Sequence, residues 1–225
     1  MKRIPNKLKK IKEKIEDKLY PIDKAVDFLI KNNYSKFDST IELHINLNLK
    51  KGKEKANLRI LLLPPYPLAT TKKIAVLGKN IKIKDEKIIT SKKDILRAIK
   101  NGKINFKILI VEKDFLKEVS PYAKILGPKG LMPTEKNQTL VDNANIALEK
   151  ILKGQREIKP DADDLLHVPC GKISLGKEKI IENINYIIQQ IKNNKPQGIK
   201  GDFIKKIYLS STIGPSIKID LSLAK

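Results

Sequence analysis

A strictly alternating segment gives the clearest structural signal in the sequence. In TIELHINLNL, residues 40–49, isoleucine or leucine occupies every second position, and polar residues stand between them. Successive side chains of a β-strand point to opposite faces of the sheet, so this pattern predicts a strand with one buried and one wet face. Further strands are predicted at 58–63 and 165–172, and a hairpin around Gly214-Pro215 at 203–211 and 217–221.

Apolar residues spaced three and four apart predict the accompanying helices. The first apolar stripe spans residues 4–19, and a second helix is expected to open at Pro21 and to stop at Asn32-Asn33. The strongest stripe spans residues 180–191. These helices and the one-sided strands together predict an α+β arrangement.

The pattern changes after the proline run at 64–67, which fits neither a helix interior nor a central strand. Short apolar runs at 73–77 and 107–111, the latter uninterrupted from Ile108 to Val111, are typical of strands buried on both faces. Helices are expected between and after them, with Ser91 and Asp142 as N-caps. Strands that alternate with helices indicate a small open α/β sheet.

The one-sided strand pattern returns after Gly154. We therefore expect an α/β protein of two domains. The first is a discontinuous α+β domain formed by residues 1–66 and 156–225, and the second is an inserted α/β domain formed by residues 67–155. The proline run between them is expected to act as a semi-rigid hinge.

Net charge says more about the class of partner than any other bulk property of the sequence. The 225 residues include 47 Lys and Arg against 25 Asp and Glu, a net charge of +22. Such a surface attracts polyanions, with nucleic acid as the usual partner and an anionic membrane as the alternative, although lysine also accumulates in AT-rich genomes. The single cysteine fits a reducing compartment, and no apolar run suits a signal peptide or a bilayer span.

No group of residues predicts catalysis, a metal or a cofactor. His44 and His167 lack partners at zinc-site spacing, and the acidic cluster at 161–164 is expected to be a solvated turn. The sequence contains no GxSxG elbow, no Walker lysine loop and no GxGxxG. We therefore expect neither an enzyme nor a small-molecule substrate.

The segment LGPKGLMP, residues 126–133, is the most distinctive run in the chain. Lys129 could touch a phosphate, but Pro128 and Pro133 have no N–H to offer one. Its glycines permit left-handed turns and its prolines stiffen them. The residue types favour a structural corner.

Two other segments are candidates for RNA contact. In LSSTIGP, residues 209–215, three hydroxyls precede a glycine, which suits close packing against sugar and phosphate, including the 2′-OH. In YSKFD, residues 34–38, Phe37 could stack on a base while Lys36 meets a phosphate. The alternatives are an ordinary turn for the first segment, and a core Phe37 beside a solvated lysine for the second.

In their order along the chain, four segments resemble the L-one family of large-subunit ribosomal proteins, in its bacterial or organellar form. The resemblance covers nearly the whole chain. It implies a discontinuous RNA-binding domain and a Rossmann-like insert without a cofactor. The segments are KFDSTIEL (36–43), LGPKGLMP (126–133), GQRE (154–157) and KGDFIKKIYLSSTIGPSIKID (200–220).

The resemblance implies a structural protein that binds large-subunit rRNA at a three-way junction beside other ribosomal components. It further implies contact with exit-site tRNA and help with the movement of that tRNA, and in bacteria binding to the protein's own messenger RNA. The family's rRNA contacts map onto Lys36, Phe37, Ser211, Thr212, Ile213 and Gly214. Its structural signature loop maps onto Gly127, Pro128, Lys129 and Gly130.

The sequence departs from the family pattern at three places. Ile213 stands where the family has methionine, Ile60 replaces the glycine of an Arg-Gly pair at the hinge, and PDADD at 160–164 replaces a basic segment. The last change moves the expected tRNA contact to a nearby basic loop and two arginines. These tRNA-side candidates are Lys50, Lys51, Lys53, Lys55, Arg59 and Arg156.

We expect the protein to work in ribosomes, in a mitochondrial or other organellar matrix or, alternatively, in a bacterial cytoplasm. A non-ribosomal assembly factor with the same RNA-binding domain is the first alternative. An enzyme that binds a nucleotide in its insert is the less favoured one.

Overall fold

The computed structural model describes residues 6–16, 18–51, 54–55, 58–67, 73–79, 81, 86, 88–135, 137–199 and 201–220. The chain divides into two compact units, one formed by Met1–Leu68 with Arg156–Lys225 and the other by Ala69–Gln155. Both units combine helices with β-sheet, which confirms the predicted α/β fold class.

The described residues form seven α-helices and twelve β-strands. The helices are α1 (Asn6–Lys12), α2 (Ile22–Lys31), α3 (Lys92–Lys100), α4 (Leu116–Val119), α5 (Ala123–Leu126), α6 (Ala144–Leu152) and α7 (Lys177–Asn193). The strands are β1 (Thr40–Leu47), β2 (Lys50–Lys51), β3 (Glu54–Lys55), β4 (Ile60–Leu62), β5 (Ile74–Leu77), β6 (Ile88–Ile89), β7 (Ile108–Glu112), β8 (Leu140–Val141), β9 (Arg156–Ile158), β10 (Leu165–Lys172), β11 (Ile204–Ser211) and β12 (Ser216–Ile219).

Strand β1 lies inside the main sheet of the first unit, whose order is β10-β1-β11-β12 with all neighbours antiparallel. As its alternation predicts, the isoleucines and leucines of β1 are buried and its polar residues are half-buried on the other face. Helices α2 and α7 pack their apolar sides into the same core. Because each buried isoleucine or leucine contributes about 1.5–3 kcal/mol, this core holds the N- and C-terminal segments together.

The first helix is much shorter than its apolar stripe predicts. Helix α1 ends at Lys12, and the predicted continuation to Leu19 is wrong. The Tyr20 N–H donates to the Lys218 carbonyl (2.9 Å), and the Asp220 N–H donates to the Tyr20 carbonyl (3.0 Å). The chain must be extended here to pair with the edge strand β12, and Leu19 is left 49% exposed.

The proline run is fixed to the first unit by a buried amide. Asn183 of α7 is fully buried; its Oδ1 accepts the Tyr66 N–H at 3.1 Å, and its Nδ2 lies 3.1 Å from the Tyr66 carbonyl and 2.8 Å from the Cys170 carbonyl. Buried amides need such partners. This anchor holds the middle of the run, and the predicted strand before it shortens to the three residues of β4, which pair with β9.

The second unit contains a parallel sheet in the order β6-β5-β7-β8. The side chains of β5 are buried on both faces, as their uninterrupted apolar run predicts. One face packs against α3 and the LGPKGLMP corner, and the other packs against α6. Asn143, rather than the predicted Asp142, caps α6 by accepting the Asn145 N–H at 3.0 Å, and Asp142 pairs instead with Lys113 at 3.0 Å.

The LGPKGLMP segment ends α5 in a Schellman motif. The Leu131 N–H donates to the Leu126 carbonyl (3.0 Å), and the Gly130 N–H donates to the Gly127 carbonyl (2.9 Å). Gly130 has φ +66°, a conformation that favours glycine, and both leucines belong to one core. The Lys129 ammonium donates to the Gly102 carbonyl at 3.0 Å, so it serves the fold.

A carboxylate occupies the carboxyl end of the parallel sheet. Glu112, at the end of β7, accepts the Lys79 N–H at 2.9 Å and the Ala144 N–H at the start of α6 at 3.1 Å. A Cβ at Gly78 would lie 2.9 Å from this carboxylate, so glycine leaves the space for it. Open α/β sheets bind ligands at this edge, often as phosphates at a helix N-terminus. Here the Glu112 carboxylate, an anion supplied by the chain itself, accepts the first N–H group of α6.

Replacing Glu112 should destabilise the second unit. In a Glu112→Ala variant, the partly buried Ala144 N–H loses its acceptor, which should cost about 1–3 kcal/mol. Hydrogen exchange of the β5 and β7 amides should accelerate accordingly. Asp114→Ala is the matched control, because Asp114 pairs with Lys79 at the surface and its loss should leave exchange nearly unchanged. Equal exchange in both variants would contradict this role for Glu112.

Candidate nucleic-acid interface

Two segments distant in sequence meet where β1 begins and β11 ends. The Thr212 N–H donates to the Thr40 carbonyl at 3.0 Å. The Thr212 hydroxyl accepts the Thr40 N–H at 3.1 Å and donates to the Thr40 carbonyl at 3.2 Å. One threonine thus uses its backbone and its side chain to fasten the hairpin tip to the first residue of β1. We call this set of hydrogen bonds the latch.

A second contact joins the tip to the loop that precedes β1. The Tyr34 hydroxyl donates to the Ile213 carbonyl at 2.5 Å, and the Gly214 N–H closes the tip by donating to the Ser211 carbonyl at 2.9 Å. Residues 34–38 and 211–214 therefore form one continuous surface, which we call the tip surface. It brings together all six residues predicted to contact rRNA.

The tip surface exposes two large apolar side chains beside a cation. Phe37 is 52% exposed and Ile213 is 39% exposed, and the Lys36 side chain is also exposed. The alternative that Phe37 belongs to the core is therefore wrong. Single exposed apolar residues are common, but two of them on one hydrogen-bonded surface make it a candidate contact surface.

The three consecutive hydroxyls serve mainly to build the tip. Ser211 is only 5% exposed, and an added Cβ at Gly214 would lie 2.0 Å from its Oγ. The Thr212 hydroxyl is engaged in the latch, and the Ser210 hydroxyl lies 2.8 Å from His44 Nε2. The sequence pattern suggested hydroxyls that face a ligand. The structure instead leaves Phe37 and Ile213 as exposed apolar contact groups.

A third segment, which the sequence pattern did not reveal, adjoins the loop. The Ser174 hydroxyl and N–H donate to the two oxygens of Asp38 at 2.6 and 3.1 Å, and Lys172 Nζ lies 3.9 Å from the same carboxylate. The Ser174 hydrogen bonds, with Lys172, lower the pKa of Asp38. Lys172 therefore adds a second cation beside the loop, where it faces Asp38. Its contribution follows from strand pairing between β1 and β10, which local sequence patterns do not specify.

The loop before β1 is also stiffened from within. The Ser35 hydroxyl lies 2.7 Å from Asn33 Oδ1 and 2.5 Å from the hydroxyl of the fully buried Ser39. These bonds hold the backbone on both sides of Lys36 and Phe37. The side chains of Lys36 and Phe37 are therefore presented by an ordered loop.

The two histidines form a pair on the polar face of the main sheet. His44 Nδ1 lies 2.7 Å from His167 Nδ1, and burial together with His167 lowers the pKa of His44. The carboxylate of Asp161 accepts the N–H groups of Asp163 and Leu165, so the acidic cluster forms a turn, as predicted. Among the described residues, no group of three or more His, Cys, Asp or Glu side chains is placed to hold a metal ion.

Comparison with known proteins establishes the family. Residues 29–215 match the model of the Ribosomal protein L1p/L10e family. The chain belongs to this family. It is similar to the large ribosomal subunit protein uL1 of Thermosipho melanesiensis, with 36% identity over 96% of this chain and 94% of the relative. It is also similar to the uL1 proteins of Mycoplasma capricolum, with 35% identity over 98% and 100% of the two chains, and of Synechococcus sp. CC9311, with 32% identity over 99% and 97%.

Membership confirms the resemblance drawn from the four segments. The L1p/L10e family is a family of large-subunit ribosomal proteins and not of enzymes, and it places the chain in the ribosome. No helix within the described part of the chain is long and apolar enough to cross a membrane. The family match includes the whole tip surface, residues 34–38 and 211–214.

The tRNA-side candidates of this family member fall on two small sheets. Strands β2 and β3 pair Lys50 with Lys55 and Lys51 with Glu54, whereas Lys53 lies outside the described residues. The other two candidates lie in or beside the β4–β9 pair. The surroundings of these two arginines differ from those of unpaired, fully exposed surface cations.

One of the two arginines is ion-paired and the other is half-buried. Arg59 pairs with Glu157 at 3.3 Å. Arg156 is half-buried, burial lowers its pKa, and its buried Nε has no hydrogen-bond partner within the described structure. The lysines of the β2–β3 hairpin therefore remain the simpler tRNA candidates.

The close approach of Gly214 to Ser211 gives a test of the tip. Gly214→Ala should push the Ser211 side chain aside and displace the tip, lowering rRNA affinity about tenfold, the equivalent of about 1.4 kcal/mol. The double variant Ser211→Ala/Gly214→Ala removes the clashing oxygen and should recover most of the affinity. Binding of both variants to an rRNA fragment, with melting temperature as a control, measures the effect. Equal losses in the single and double variants would contradict the clash.

Proposed function

We propose that the tip surface binds a folded segment of large-subunit rRNA, the three-way junction implied by the family resemblance. One observation carries the proposal. Two segments about 180 residues apart are hydrogen-bonded into a single surface, with Tyr34 and Ile213 separated by 179 positions. That surface exposes the apolar side chains of Phe37 and Ile213 beside the cation Lys36, a combination that suits sugar and base faces flanked by phosphates.

The proposed mechanism is recognition of shape without chemistry. The net charge of +22 attracts the RNA from a distance, and Lys36 and Lys172 meet phosphates near the tip. Phe37 and Ile213 then pack against sugars or unstacked bases. Each phosphate contact should add about 0.9 to the slope of log affinity against log salt. Because the latch and the stiffened loop pre-order these groups, binding loses little conformational entropy.

Replacing the exposed aromatic should weaken rRNA binding specifically. Phe37→Ala should cost about 1–3 kcal/mol of binding free energy, since it removes a stacking face without touching the core. Ile146→Ala is the matched control, because Ile146 is 55% exposed but lies in α6 of the other unit. Titration of an rRNA junction fragment at fixed salt provides the measurement. Unchanged affinity of a folded Phe37→Ala variant would contradict the proposal.

We further propose that the β2–β3 hairpin contacts exit-site tRNA and assists its movement. The register supports this role, because cross-strand pairing brings Lys50 next to Lys55 on a two-stranded hairpin. A short hairpin rich in lysine attracts the phosphates of a polyanion.

A triple replacement separates tRNA contact from rRNA contact. Lys50→Ala/Lys51→Ala/Lys55→Ala should leave the affinity for the rRNA junction within about twofold, after correction for the lost charge, and shorten the residence time of deacylated tRNA in the exit site. The control Lys93→Ala/Lys100→Ala/Lys103→Ala removes the same charge from exposed positions of the other unit. Identical tRNA residence times in the two triple variants would contradict the proposed contact.

The ribosomes concerned are proposed to be organellar, in a mitochondrial or other matrix, rather than those of a bacterial cytoplasm. The lysine-rich composition is consistent with an AT-rich organellar genome. Binding to the protein's own messenger belongs only to the bacterial alternative. Co-sedimentation with mature large subunits of a purified organelle tests the location, and it also distinguishes a ribosomal constituent from an assembly factor that leaves before maturation.

A further inference from the structure

A basic groove runs beside the hairpin whose tip carries the proposed rRNA contact. It has a volume of about 400 Å³ and lies between the N-terminal segment and strands β11 and β12. Ile15, Tyr208 and Pro215 provide its apolar surface, and Lys12, Lys18 and Lys218 provide its cations. Pockets for small ligands have volumes of about 300–1,000 Å³, so the groove has room for one nucleotide.

The two walls of the groove are held in place by main-chain hydrogen bonds. On one side, Tyr208 and Lys218 are direct cross-strand partners in the β11–β12 hairpin. On the other, the bridge between Tyr20 and Ile219 joins the N-terminal segment to β12, and the Glu16 N–H donates to the Tyr20 hydroxyl at 3.1 Å. Because α1 ends at Lys12, residues Ile15, Glu16 and Lys18 after it contribute to a wall of the groove.

The charge of the groove favours an anion. Glu16 also lines it, but this carboxylate is paired with Lys18, whose ammonium also lies 5.5 Å from the centre of the Tyr20 ring. Lys12 and Lys218 take part in no ion pair with another described residue. Two cations are therefore left for a ligand, next to an aromatic ring. This combination of a stacking face and ammonium groups suits a nucleotide.

The position of the groove identifies the source of that nucleotide. Pro215 lines the groove and follows Gly214 of the tip surface directly, so an RNA bound at the tip passes close to the groove mouth. Folded RNA junctions contain unpaired nucleotides whose bases can be splayed out and stacked on aromatic side chains. A continuous RNA chain could then satisfy both surfaces.

We propose that the groove binds one unpaired nucleotide of the large-subunit rRNA, with its base against Tyr208 and its phosphate beside Lys218 and Lys12. This inference rests on the proposed function of the tip surface. It assigns a second contact, at which an aromatic ring selects a flexible nucleotide, whereas the tip recognises a folded shape.

Affinities of four variants for an rRNA junction fragment test the proposal. Tyr208→Leu should weaken binding at least about fivefold because it removes the stacking face, whereas Tyr208→Phe keeps that face and should stay within about twofold of the unchanged chain. Lys218→Ala should lower the salt slope by about 0.9. Lys205→Ala removes the same charge from an exposed position of β11 outside the groove and should leave the slope unchanged.

Crosslinking provides a second measurement that does not depend on the stability of any variant. Irradiation of the unchanged chain bound to RNA containing 4-thiouridine should give adducts on the peptide that contains Tyr208. The groove assignment is overturned if no adduct forms there and Tyr208→Leu binds normally while Phe37→Ala binds weakly, an outcome that leaves the tip surface intact. Absence of any rRNA binding by the unchanged chain would overturn both proposals.

Discussion

The candidate RNA-binding surface depends on the latch between Thr212 and Thr40. Three hydrogen bonds of 3.0–3.2 Å fasten the hairpin tip to the first residue of β1. Without them, the exposed Ile213 would sit on a free hairpin end and would lose conformational freedom on binding. With them, the tip is continuous with the central strand of the main sheet. The buried core beneath that strand therefore supports the tip surface.

Hydrogen bonds that fix side chains in place also explain how the chain combines a high net charge with a defined candidate site. A net charge of +22 attracts any polyanion, and by itself it gives affinity without selectivity. Selectivity requires groups held at fixed positions, and here the loop bonds of Ser35, the latch and the Asp38–Ser174 pair hold them. In the second unit, too, internal hydrogen bonds fix the structure. The Glu112 carboxylate occupies the edge at which other open α/β sheets bind a ligand.

Much of the fold could be predicted from the sequence because it is encoded in short periodic patterns. The alternation of β1, the apolar stripe of α7 and the buried run of β5 each specify their own environment. The predictions failed where a distant partner decides the local structure. The stripe after Lys12 is suitable for a helix, yet pairing of Tyr20 with β12 keeps the chain extended. Asp142 and Asn143 are both good caps, and the salt bridge to Lys113 engages the first.

The sequence predicted which residues meet at the candidate site but not which of their groups the fold uses. The exposed residues of the tip surface stand within two recognisable sequence segments, and the fold brings those segments together. However, hydroxyl groups that look available in the sequence are consumed by the fold, because Ser211 is buried and Thr212 bonds to Thr40. Lys172 and Ser174 join the site only through the pairing of β10 with β1. The basic groove requires the N-terminal segment to bend back along β12, which no local pattern specifies.

The central claim, that the tip surface lies against rRNA, can be tested from a single tethered position. An Ile213→Cys variant can be labelled with an iron chelate at that position and assembled into large subunits. The native Cys170 does not take up the label, because it is fully buried and burial raises the pKa of its thiol, which keeps it unreactive. Hydroxyl radicals released from the chelate should cleave a compact cluster of rRNA backbone positions around one three-way junction. Cleavage that is absent from the rRNA or spread evenly along it would contradict the account.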